Sequence, residues 1–258
     1  MISSRGLPSS NLQTVSGVVA TDGSERTHPF TKMSTAYGVT LLATNNSSNS
    51  FMQDIGNTIQ AMFTSTASPD VSAQANLVNN LYQYAATIPL FVQGELASFD
   101  FAETKDYHSI CDTIKSGQGN RNDQVMEVME HILHIITDVG FHYTFTGDWG
   151  INTSSTLYGC MQKAINAGYY NVSSYEGMGE ESRNRIKLQE FAYWFISSAW
   201  GLQATYGDND TNEWSLKNST NLQNSMPTCY NQLITNGTDK VITAPSNSLL
   251  NALGDAHK

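Results

Sequence analysis

Apolar residues recur along this chain in two rhythms, and each rhythm predicts an element. From Phe51 to Phe63 they fall at 51, 52, 55, 59, 62 and 63, the spacing of one helical face. A second helix is predicted after Ser68, with Pro69 at its first position and Asp70 in its first turn. It carries Val71, Leu77, Val78 and Leu81 and should stop before Pro89. A third runs from about Asp123 to Val139, after the polar loop 116–122, with Gly140 placed to end it in a left-handed turn. Thr153 to Ala167, stopped by Gly168, and the long stretch from Glu180 to about Thr205 follow; residues 211–223 suggest a shorter helix before Pro227. Tyr37 to Thr44 is instead a short β-compatible run, ended by the Asn/Ser cluster at 45–50. Leu90 to Phe101 fits neither rhythm. The pattern predicts a mostly α fold, α+β with one or a few short strands. It divides into an irregular arm over 1–35, a single mostly helical domain over 36–235 and a turn-rich tail over 236–258.

Composition narrows the function. The 258 residues carry 13 Lys+Arg against 23 Asp+Glu, a net charge of −10 that speaks against nucleic-acid binding, which needs a basic stripe. No apolar run approaches the roughly 20 residues of a membrane span, and the first residues lack a signal peptide's apolar stretch. A cytoplasmic or particle-associated protein is expected, unless the chain is a trimmed form. Charged residues are only 14%, which implies a polar, weakly charged surface rich in Asn, Ser and Thr. Cys111, Cys160 and Cys229 are widely spaced. Free buried thiols are expected, with one disulfide left open.

Candidate chemistry gathers on the third helix. Val125, Val128, Ile132, Ile136 and Val139 form one stripe; Glu127, Glu130, His131, His134 and Asp138 lie opposite. Glu130 and His134 are four residues apart, one turn above each other, a spacing at which two side chains reach one ion. A solvated face normally mixes both signs of charge, yet this one holds no Lys or Arg. In the long helix, Glu190 opens a stretch whose aromatics run all round, so its carboxylate should be buried and in need of a proton, a cation or a metal.

Taken together, Glu130-His131-Ile-Leu-His134-Ile-Ile-Thr137, Glu190-Phe-Ala-Tyr193-Trp194 and Glu213-Trp214 resemble motifs of a family of uncharacterised proteins common in marine sequences. The likeness spans roughly residues 37–230 and implies no reaction. The same residues bear a weaker resemblance to gluzincin-type zinc metallopeptidases, which carry His-Glu-x-x-His on one helix and a ligating Glu on a later one. That resemblance implies a zincin-like helical domain holding a divalent ion, zinc first. Glu130, His134 and Glu190 would be ligands, and His131 would stand where the general-base Glu belongs, as proton carrier or fourth ligand. The expected activity is metal-dependent, peptidase-like hydrolysis on an unknown substrate or protein partner. His131, His134 and His142 form a second ligand set of metzincin type, with a longer last interval. Gly117-Gln-Gly119 before a helix reads as an ordinary loop, and Asp148-Trp149 and Glu213-Trp214 as packing pairs. The competing expectation is a non-enzymatic structural or interaction protein, for instance part of a virus or surface assembly.

Overall fold

A computed structural model describes residues 15–95, 107–117, 119–208 and 211–255. The fold is α+β and mostly helical, built on one mixed sheet of five strands. The strands are β1 (Val19–Ala20), β2 (Lys32–Ala36), β3 (Val39–Ala43), β4 (Thr87–Val92) and β5 (Ile114–Ser116), and they lie in sequence order. The pairs β1–β2 and β2–β3 are antiparallel; β3–β4 and β4–β5 are parallel. Tyr37 and Gly38, with φ of 47° and 84°, make the two-residue turn between β2 and β3. A side chain at Gly38 would overlap the Val78 carbonyl, so that turn also sets the approach of the next helices.

Two helices cross from β3 to β4: α1 (Asn49–Thr64), capped by Ser48, and α2 (Val71–Gln83), capped by Asp70. α2 stops before Pro89, as its pattern predicts, but already at Gln83, so the proline is not what ends it. Pro89 sits inside β4 opposite Leu42, and its missing amide is tolerated because pairing with β5 begins only at Leu90–Ile114. Of the stretch that fitted neither rhythm, residues 96–101 lie outside the described residues.

Helix α3 (Arg121–Ile135) opens on a capping box between Asn120 and Asp123. It does not stop at Gly140. The chain continues through a π-helical turn, Ile136–Phe141, into His142–Thr144. Gly140 is needed for a different reason from the one its position suggested: a methyl group there would overlap Leu77, so glycine lets α3's extension lie against α2.

Helix α4 (Thr156–Asn166), stopped by Gly168 at φ 74°, precedes α5 (Glu180–Ala199), followed by Gly201 at φ 74°. Helix α6 spans Ser219–Ser225, later than the sequence suggested. The C-terminal stretch is not only turns. It forms α7 (Asn247–Asp255), which packs on α1 and α3 and receives Arg121 on Asn251 and Asp255. At the other end, the segment 1–35 read as an irregular arm contains β1 and all of β2 but its last residue, Ala36. Cys160 and Cys229 form the one disulfide that the sequence left open, and Cys111 keeps a free thiol. Among the described residues no helix is long and apolar enough to cross a membrane.

Candidate metal centre

The polar side of α3 is not solvated. It faces α5 and the segment leading into β5, so His131, His134 and Asp138 are all buried. His134 is fully buried and stands between two sets of acids. Its Nε2 lies 3.6 Å from Oε1 of Glu190, and its Nδ1 lies 4.0 Å from Oδ2 of Asp112. Ligand atoms of Glu130, His134 and Glu190 lie within 4.8 Å of one another, and so do those of Asp112, His131 and His134. Among the described residues, then, two overlapping groups share one imidazole.

The first group fits an ion on distance and on chemistry. A tetrahedral zinc with bonds of about 2.1 Å sets its ligand atoms about 3.4 Å apart, close to the 3.6 Å between His134 and Glu190. Nε2 of His134 is buried without a hydrogen-bond partner. Behind it, the Gln189 amide nitrogen lies 3.1 Å from Nδ1. Turning that amide end for end presents its carbonyl to Nδ1–H and leaves the Nε2 lone pair free for a cation.

Charge is arranged accordingly. Burial pushes the Glu130 carboxyl up to about 7, the positive His131 opposing and Glu190 adding to the rise. Burial likewise pushes Glu190 up to about 8, helped by the charge of Glu213. Burial holds His134 below its ordinary value, so its imidazole is neutral. At neutral pH Glu130 is about half protonated and Glu190 mostly so, around a neutral imidazole, an arrangement compatible with a divalent ion that displaces protons on binding.

The second group is already satisfied from within. His131 Nδ1 donates to the Glu127 carbonyl oxygen at 2.6 Å, and Nε2 to Asp112 at 3.2 Å. Burial opposes the charge on this ring. The Asp112 hydrogen bond and the charges of Glu130, Asp112 and Glu127 outweigh it and raise His131 to about 9. Burial also opposes the charge on Asp112, but His131 holds it down at about 2. Both nitrogens of this imidazolium carry protons that face acceptors, so it has no lone pair to offer at neutral pH.

A cleft of 920 Å³ adjoins the cluster, with Asp112, Gln189 and Glu190 among its lining residues. The set of three histidines does not form: His142 belongs to neither group, and its Nδ1 accepts from the Ile151 amide at 3.0 Å. Glu213 serves packing, accepting from the Tyr175 hydroxyl at 2.5 Å and the Trp194 indole at 3.2 Å. Asp148 accepts from Thr156 at the start of α4. Asn120, beyond the glycine loop, is spent on capping α3; Gln118 of that loop lies outside the described residues. Two participants escaped the sequence reading. Asp112 precedes a three-residue strand and has no periodic partner, and Gln189 is one more amide beside the glutamate that drew attention.

No protein-family profile, curated protein or solved structure matches this chain. Neither resemblance suggested by the motifs thus gains support from a relative. What stands is an α+β protein with a buried His/His/Asp/Glu cluster compatible with a metal site.

Proposed function

We propose that the protein binds one divalent metal ion through Glu130, His134 and Glu190, in a zincin-like arrangement, and hydrolyses a substrate lying in the cleft. The carrying observation is the convergence of these three side chains, from two helices, within 4.8 Å around an unpartnered Nε2. One nitrogen and two carboxylates suit zinc among the common ions. When bound, the ion would supply Lewis acidity and a water acidified toward neutrality. The chain's own residues do the rest. Gln189 fixes the tautomer of His134, and the surrounding apolar helices exclude bulk water. His131 acts as an internal counter-ion to Asp112 and Glu130, a different role from the proton acceptor suggested by its place in the motif.

A second reading, a non-catalytic interaction or assembly protein, draws on one observation: the His131–Asp112–Glu127 network satisfies its own charges without an ion. The Cys160–Cys229 disulfide favours oxidising surroundings over the cytosol in either case. The test is elemental analysis of protein purified without a metal-affinity tag, together with a zinc titration after chelation. Near one equivalent of metal, and a melting temperature raised by zinc in the wild type but not in His134→Ala, is expected. Less than about a tenth of an equivalent and no zinc-dependent rise refute the metal reading.

A further inference from the structure

The metal reading leaves one acid on the cleft wall without a task. Asp138 lines the cleft, its side chain is 3% exposed, and its Oδ2 has no hydrogen-bond partner. The cation facing it, the Arg185 guanidinium, is 58% exposed and stops 3.8 Å away, beyond hydrogen-bonding distance. A buried carboxylate oxygen without a donor is costly. Asp138 borders a cavity, and once the exposed Arg185 side chain turns aside the missing donor can come from a molecule bound there.

The surroundings select the kind of donor. Asp138 belongs to neither group of ligand atoms close enough to share an ion, so a divalent metal at its Oδ2 would gain a single protein carboxylate. An ammonium group needs no more than one carboxylate and a few neutral acceptors, which Thr153 and Asn184 on the same cleft can offer. Glu181 also lines the cleft, Asp112 there is matched by His131, Glu190 is neutral while it holds its proton, and Arg185 is the single Lys or Arg among the lining residues. Asp138 and Glu181 thus face one arginine, which tilts the cleft toward cations over anions. Tyr143, stacked on Tyr84 at 3.7 Å, and Tyr158 add ring surfaces for the carbon skeleton beside the charge.

We propose that this cleft binds a ligand carrying a primary ammonium group, seated on Asp138 Oδ2 in the place that Arg185 only approaches. The claim stands apart from the metal site, and its test runs in EDTA so that the two can fail separately. A peptide's amino terminus and a lysine side chain supply the same group. Calorimetric titration therefore compares three peptides of equal length: one with a free amino terminus and no lysine, one N-acetylated with a central lysine, and one N-acetylated without lysine. At least one ammonium-bearing peptide should bind tenfold or more tightly than the fully blocked one, and the stronger arm names the source. Asp138→Asn should erase that difference while the protein still melts cooperatively. Arg185→Gln, which leaves Asp138 in place and removes its internal competitor, should tighten the ammonium-bearing peptide and cover the case in which Asp138→Asn does not fold. Equal binding of all three peptides, no binding at millimolar concentration, discrimination that survives Asp138→Asn, or weaker binding by Arg185→Gln would each overturn the proposal.

Discussion

Replacing Glu190 by Gln separates what the fold needs from what a metal needs. Burial raises the Glu190 carboxyl from 4.5 to about 8 on folding. A carboxyl shifted upward favours the folded state fully below its unfolded value. That advantage is lost as pH rises from 4.5 toward 8, because the unfolded chain releases a proton that the folded protein still holds. At about 1.4 kcal/mol per unit, the penalty in metal-free wild type is about 3 kcal/mol at pH 7 and about 1 kcal/mol at pH 5. Gln keeps the shape and never ionises. In EDTA, Glu190→Gln should therefore be more stable than wild type by about 3 kcal/mol at pH 7, with the gain shrinking to about 1 kcal/mol at pH 5. Urea unfolding at the two pH values reads the difference directly. Zinc should reverse the order. At a free concentration a thousandfold above its dissociation constant it stabilises the wild type by about 4 kcal/mol, and the variant, short of one ligand, by far less. A variant destabilised in EDTA at pH 7, or a gain unchanged between pH 5 and pH 7, would refute the reasoning that Glu190 is a buried, proton-holding acid.

Two further outcomes test neighbouring parts of the structure. Asp112→Asn removes the partner that outweighs burial at His131, so the ring's pKa should fall from about 9 toward or below 6.5, followed by imidazole NMR across pH. An unmoved titration would show that Asp112 does not hold the proton. Reducing the Cys160–Cys229 bridge, which closes a loop of 69 residues, frees chain entropy in the unfolded state. The loop formula gives about 4 kcal/mol. Unfolding midpoints with and without reductant should differ accordingly, and coincident curves would show that the bridge adds no stability.

Much of the helical scaffold was legible because its signals are local. The apolar spacing from Phe51 to Phe63, the Gly168 stop and the stripe from Val125 to Val139 each depend on residues within a turn or two, whereas Asp70 caps α2 instead of lying in its first turn, so Pro69 precedes the helix. Elements set by distant partners were not legible. β2 is Lys-Met-Ser-Thr-Ala, a polar stretch made a strand by pairing with β3. β4 contains a proline, and α7 hides in Asn, Ser and Gly until it packs on α1 and α3.

The candidate site divides the same way. A period of 3.6 residues places Glu130 and His134 on one face wherever the helix lies, and the aromatic run after Leu188 marks Glu190 for burial. The sequence by itself thus determined which side chains share a helix face. Only the tertiary structure decided that α5 and the approach to β5 close over that face, adding Asp112 and Gln189 and turning His131 into a fixed cation. The physical reason is that spacing along a helix is set by the backbone alone, whereas burial, and with it every shifted proton affinity, depends on which distant segments exclude water from the acids.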